Sequence, residues 1–232
     1  SKPSQEIRHM SYSALLLGSI GVLTETSELQ RRSFNTAFEE NELVWHWDAV
    51  TYKRLLEVPG GKARLRHYAQ LQGVEVDIDA VYKSKLAAFE GVIASGAQLR
   101  PGIADLIAEA QEQGMQIGFV TSTDPRQVAA ILKGVEGDIH ASVFDYIGDS
   151  TQVARTKPAP DIYNEALRAM SVTANDALAI EDTPESARAA VAAGIRTVGY
   201  PGAAASDRDF GTDVEMMRKL HVSLLRQQAN AA

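Results

Sequence analysis

The 232-residue sequence contains no cysteine. That excludes disulfides, thiolate metal sites and a cysteine nucleophile, and it leaves the redox compartment open. No aspartate precedes Asp48. Positive charge is also scarce: 23 Lys+Arg stand against 30 Asp+Glu, a formal net charge of −7, which argues against the basic surface that non-specific nucleic-acid binding needs. No apolar run approaches the roughly 20 residues of a membrane helix. The polar amino terminus, SKPSQEIRHMSY, does not read as a signal peptide. The five histidines (His9, His46, His67, His140 and His221) show no ligand spacing, so a histidine metal site is not expected. These absences predict a cytoplasmic protein without nucleic-acid or membrane partners.

What is present is an ordinary globular composition, 45% hydrophobic and 23% charged, in a chain long enough to bury a sizeable core. Residues 13–17 (SALLL) read as a buried strand with a Gly-Ser loop after it. From residue 97 the pattern alternates. Ile103, Leu106, Ile107 and Ala110 recur at helical spacing, then MQIGFV (115–120) reads as a strand. Val128, Ile131 and Leu132 mark a helix, as do Tyr163, Ala166, Leu167 and Met170. ALAI (177–180) reads as a strand, a helix follows from Pro184 to a stop at Gly194, and RTVGY (196–200) is another strand. Short apolar strands alternating with helices predict an α/β fold, a Rossmann-like parallel sheet covered on both faces.

Residues 26–96 differ. They carry Trp45 and Trp47 and the helical stripes Phe34, Ala37, Phe38 and Tyr82, Leu86, Phe89, Ile93, with no strand-like run. This stretch reads as a helical insert, a second small domain beside a core of residues 1–25 and 97–232, with the ligand site in the crevice between them. One mixed α/β domain with long helices is the alternative. The tryptophans read as packing within the insert rather than as a stacking platform.

Ligands of such sheets sit outside the carboxyl ends of the strands. Four loops qualify. Gly18-Ser19-Ile20-Gly21 follows the first strand. Thr121 and Ser122 follow the second, ahead of Pro125, where hydroxyls and free N–H groups suit a phosphate, or where Thr123 or Asp124 merely caps a helix. Lys157 precedes Pro-Ala-Pro, whose stiff backbone would aim an ammonium. Glu181 and Asp182 end another strand, suiting a hard cation such as Mg²⁺ or, equally, a helix N-cap.

Taken in order, ALLLGSIGVLTET, FVTST, KPAPDIY and AIEDTPESARAAVAAG resemble the four motifs of the haloacid dehalogenase superfamily, subfamily IA. RRSFNTAF and LLEVPGGKARLRHYA resemble the helical C1 cap of its CbbY-like and β-phosphoglucomutase-like branch. The resemblance spans essentially the whole chain. It implies a sugar-phosphate phosphatase, Mg²⁺ as cofactor held at Glu181 and Asp182, phosphate held by Thr121, Ser122 and Lys157, and cap contacts from Lys62 and Arg64 to a distal phosphate. Surface cations at a helix start are the plainer reading of the last two.

One departure changes the expectation. The family's nucleophile position, the first Asp of DxDGT, is Gly18 here, and its acid/base position is Ile20. Neither side chain can attack phosphorus or move a proton. A shifted alignment supplies no aspartate, and a laboratory knockout would replace one position, not two. Gln30 stands where relatives often place a histidine. Of the four carboxylates a family site carries, two remain beside Lys157, so Mg²⁺ is expected to bind weakly. The sequence therefore predicts a phosphatase-like protein that binds a phosphorylated metabolite, a sugar phosphate or bisphosphate, without hydrolysing it. A hydrolase with a non-standard catalytic group and a regulatory subunit with a protein partner are the alternatives.

Overall fold

The structure, a computed structural model, describes residues 11–227. Strand β1 (Ala14–Leu17) leads through one helical turn, α1 (Ile20–Leu23), into four successive helices: α2 (Ser27–Glu40), α3 (Ala49–Leu55), α4 (Gly61–Gln72) and α5 (Ile78–Ile93). Strands and helices then alternate as α6 (Ile103–Glu112), β2 (Gln116–Phe119), α7 (Pro125–Gly134), β3 (Tyr146–Ile147), α8 (Asp161–Met170), β4 (Ala177–Glu181), α9 (Pro184–Ala192), β5 (Arg196–Gly199) and β6 (Val214–Met216). The six strands form one parallel sheet in the order β3-β2-β1-β4-β5-β6. Among the described residues no helix is long and apolar enough to cross a membrane.

Alternation along the strands sorts side chains between two faces. Leu15 and Leu17 of β1, with Leu178 and Ile180 of β4, join a cluster that also holds Leu106, Ile107 and Ile131 of α6 and α7. Ala14 and Leu16, with Ala177 and Ala179, face Ile162, Tyr163, Ala166, Ala189 and Ala190 of α8 and α9. The second face is rich in alanine, which brings the backbones of α8 and α9 close to the sheet. In the insert, Phe34, Phe38, Trp47, Tyr52 and Leu65 form a separate aromatic cluster. Trp47 is fully buried, its ring centroid 4.8 Å from those of Phe34 and Phe38. Packing is thus what both tryptophans do, Trp45 standing edge-on to Phe38 and Tyr68.

The insert is tied to the sheet region chiefly through α5. Phe89 and Ile93 belong to the first cluster. Gly134 of α7 lets α5 come close, since a Cβ there would stand 2.6 Å from Ile93 Cγ2. Glu90 and Arg126 form an ion pair across this contact at 2.5 Å, and Lys53 reaches Asp207 at 2.9 Å farther along the crevice. The edge strands β3 and β6, two and three residues long, and the turn at α1 are absent from the sequence reading. Segments this short show no resolvable periodicity.

Candidate functional site

Register fixes the site. Leu17 of β1 is paired with Phe119 of β2 and Ile180 of β4, so the chain leaves all three strands at one edge, at the point where the strand order switches direction. Gly18, Thr121 and Glu181 follow there. Gly18 N–H still donates to Ile180 O at 2.9 Å.

Gly18 has no room for a side chain as the site stands. A Cβ built on it would fall on Glu181 Oε1 and against the Tyr163 hydroxyl. The carboxylate of Glu181 fills the space that a nucleophilic side chain at position 18 would use. Glu181 is fully buried. Its Oε1 accepts from Lys157 Nζ at 2.7 Å and from Tyr163 Oη at 2.5 Å, and its Oε2 accepts from Ser19 Oγ at 2.9 Å. Lys157 Nζ also donates to Gly18 O and to Ser19 Oγ at 3.2 Å. All three ammonium protons therefore have acceptors, and Lys157 is 7% exposed. Burial and the Glu181 charge hold the Tyr163 phenol well above its usual range, so it stays a donor.

Asp182 lies on the other side of the same edge. Its Oδ1 is buried without a partner although the residue as a whole is partly exposed. Burial first, and the Glu181 charge second, push its pKa up to about 7 against the pull of Lys157 and Arg100. Neither acid caps a helix. Thr183 caps α9, accepting from Ser186 N, and Asp124 caps α7, accepting from Arg126 N. Thr121 is buried, its Oγ1 accepting from Thr123 N at 3.1 Å, while Ser122 Oγ accepts from Lys157 N at 3.1 Å.

Mg²⁺ does not fit this donor set. Glu181 is committed to three donors, and Gly18 and Ile20 offer no side-chain oxygen, which leaves Asp182 as the one carboxylate open to a cation here. Among the described residues no three His, Asp or Glu side chains converge on a point that could hold a metal ion.

The sheet edge and the insert enclose two joined spaces. One, about 420 Å³, is lined by Ser19, Thr121, Ser122 and Lys157 below and by Gly60 and Lys62 above. The other, about 220 Å³, runs under α2 and α5 past Gln30, Arg64 and Lys85. Lys62 is half-exposed, 3.1 Å from Asp79. Arg64 is not the surface cation of the plainer reading. It is buried, its Nε and Nη2 donate to the carbonyls of Leu55 and Val58 at 3.0 Å each, and burial pulls its pKa down. Gln30 is buried with Oε1 unpartnered. The structure thus gathers Ile20, Thr121, Ser122, Lys157 and Asp182 along one crevice floor, with Lys62 and Arg64 in its roof, while Gly18 and Glu181 lie buried beneath that floor.

Two members were missed from sequence. Tyr163 was read only as part of a helical stripe. Lys85 sits on the buried face of α5 between Tyr82, Leu86 and Phe89, and a lysine at an apolar stripe position was the available signal. It is 2% exposed and donates to Gln127 Oε1 at 3.0 Å. Burial, with Arg64 acting in the same direction, lowers its pKa to about 7. Unfolded chains hold that proton up to about pH 10.5, so the fold carries the full cost of the buried charge below pH 7 and sheds it between pH 7 and 10.5. Lys85→Met should therefore raise stability by roughly 1–3 kcal/mol below pH 7, net of a lost bond to Gln127 worth about 1 kcal/mol and of the cation–π contacts with Phe34, Tyr82 and Phe89. The gain should shrink as pH rises toward 10, which urea unfolding across pH 5.5–10 would check.

Comparison with known proteins agrees with the fold. A family model for haloacid dehalogenase-like hydrolases matches residues 21–200. The plasmid-encoded protein CbbY of Cupriavidus necator is 44% identical over 197 residues, covering 81% of this chain and 78% of that protein. Crystal structures of CbbY from Rhodobacter sphaeroides, one with phosphate and one of a mutant with xylulose-(1,5)-bisphosphate, superpose with a TM-score of 0.84 at 35% identity. Each covers 90% of this chain and 94% of the other.

Proposed function

The chain belongs to the family of haloacid dehalogenase-like hydrolases, and from that premise we propose that it binds a phosphorylated small molecule, a sugar phosphate or bisphosphate, without performing the family's hydrolytic step. The observation that carries this reading is the filled strand tip. The family reaction needs a carboxylate that attacks phosphorus and a second that moves a proton, and positions 18 and 20 offer only a hydrogen and a sec-butyl group. Glu181 is no substitute nucleophile: both of its oxygens are engaged, and the adjacent ammonium lowers its nucleophilicity.

The ligand's phosphate would lie over the loop ahead of α7. There the Thr121 hydroxyl, backbone N–H groups and the positive end of a ten-residue helix favour an anion. Lys157 beneath it offsets the Glu181 charge, and burial pushes the Asp182 carboxyl toward protonation, which lowers its repulsion. Residues 26–96 act as the cap that closes the sugar into the crevice. The relatives crystallised with phosphate and with xylulose-(1,5)-bisphosphate support this ligand class.

A working hydrolase remains the rival, because Asp182 has the pKa of a general base. General-base assistance contributes about 10²–10⁴-fold, whereas phosphomonoester hydrolysis requires accelerations of up to about 10²¹-fold. Titration calorimetry with inorganic phosphate and xylulose 1,5-bisphosphate, paired with an assay for released phosphate, separates the two. Binding unchanged by Mg²⁺ or chelator, with the bisphosphate recovered intact, is the expected result. Phosphate release abolished by Asp182→Ala, or no binding of either compound, would overturn it.

A further inference from the structure

Ser19 stands between the two substituted positions, Gly18 and Ile20. Its hydroxyl is the only one among the described residues that is hydrogen-bonded to both a carboxylate and an ammonium. Oγ donates to Glu181 Oε2 at 2.9 Å and accepts from Lys157 Nζ at 3.2 Å. A hydroxyl oxygen has two acceptor lone pairs, so one remains free. Ser19 is half-buried and lines both spaces of the crevice. The 420 Å³ space also holds Thr121 and Ser122, so a phosphate seated over that loop shares a chamber with the Ser19 hydroxyl.

We propose that Ser19 is a phosphoryl acceptor, whose Oγ takes the phosphoryl group of a small acyl phosphate bound in the crevice and keeps it as phosphoserine. This rests on the phosphorylated-ligand reading for the place of the phosphate, and it gives one class of ligand a covalent fate. In the step, the free lone pair of Oγ forms a bond to phosphorus. The bond from phosphorus to the acyl oxygen breaks, and its electron pair leaves with the carboxylate. The hydroxyl proton passes along the existing hydrogen bond to Glu181 Oε2 and later to water. Phosphoserine and a free carboxylic acid anion are the products, and no oxidant or reductant is required.

The surroundings suit this chemistry. Phosphoryl transfer to a hydroxyl asks a protein chiefly for positioning and charge, with a carboxylate to receive the hydroxyl proton. Glu181 already holds that proton's hydrogen bond, and Lys157 sits beside the oxygen on which charge develops. The leaving group sets the donor class. A sugar phosphate must expel an alkoxide, which calls for a general acid, and Ile20 on the crevice floor supplies none. A carboxylate leaves without a proton. Sugar phosphates are therefore held intact, whereas an acyl phosphate reacts. The product persists, because hydrolysis of a phosphate monoester requires accelerations of up to about 10²¹-fold.

The test incubates the full chain with acetyl phosphate and reads intact mass and the modified residue by peptide mapping. One phosphoryl group per chain is expected, on Ser19. A placed carboxylate base contributes about 10²–10⁴-fold, so labelling there should run at least about 10²-fold faster than at any other serine or threonine. Ser19→Ala should lose the label. Ser186→Ala, which removes the hydroxyl 3.3 Å from Ser19 Oγ, should keep it, and both variants should retain a cooperative thermal transition. The labelled chain should no longer bind inorganic phosphate in calorimetry, since its own phosphoryl group occupies the chamber. Phosphorylation spread evenly over hydroxyl residues, or undiminished in Ser19→Ala, would overturn the proposal. Absence of label in a native chain that binds inorganic phosphate would refute the capture step alone. Absence of both would remove the phosphorylated-ligand reading beneath it.

Discussion

Gly18→Asp combined with Ile20→Asp should produce Mg²⁺-dependent hydrolysis of p-nitrophenyl phosphate, with the native chain expected to give none. The obstacles at position 18 are the far ends of two side chains, the Glu181 carboxylate and the Tyr163 hydroxyl, and not backbone. An aspartate there would displace that carboxylate toward Asp182 and the crevice, and Lys157 would remain as counter-ion for whichever acid stays at the strand tip. The double substitution then sets four carboxylates around one edge, the donor set a hard divalent ion prefers. Acid–base assistance alone is worth about 10²–10⁴-fold, and a nucleophile adds to it, so turnover should rise at least about 10²-fold over the native protein. Each single substitution should stay at background, because nucleophile and proton-transfer group act as a unit. Equal activity in native and doubly substituted protein would mean that the native chain has another route. No activity in the double variant, with Mg²⁺ bound, would mean that more than these two residues separates it from a phosphatase.

Lys157→Met should be the most destabilising single change at the site. It leaves the fully buried carboxylate of Glu181 with two hydroxyl donors and no cation. Removing one partner of a buried pair costs about 3–5 kcal/mol, which for a chain of this size lowers Tm by roughly 10 °C. Lys157→Met with Glu181→Leu should recover most of the loss, since an apolar pair of similar volume is often neutral. Scanning calorimetry of the native protein, both single variants and the double would give the coupling directly. A double variant no more stable than Lys157→Met would show that the two side chains are held independently.

The interior strands were legible in the sequence because they are short apolar runs, buried on both faces and bounded by turn residues. The helices were legible from their stripes. The edge strands at Tyr146 and Val214 escaped, being too short to show a period and stabilised by a single neighbour each. At the site, residue types and strand-end position were enough to place Thr121, Ser122, Lys157, Glu181 and Asp182 together. What could not be read was the rotamer of Glu181. Its fate depends on Ser19, 162 positions away, and on a phenol from α8, contacts that only the folded register creates. Lys85 was overlooked for a different reason: the stripe was counted through its apolar members, and the exception within it was passed by.

The arrangement at the strand tips also has an evolutionary consequence. Lys157, Tyr163 and Glu181 complete one another's hydrogen bonds inside the core, so a change at any of them is penalised through folding before any effect on a ligand is felt. Selection for a stable chain is sufficient to keep all three. Drift can proceed freely at Gly18 only toward residues that leave Glu181 its place, which makes the glycine self-perpetuating: each generation that retains the buried pair also retains the reason for a glycine beside it.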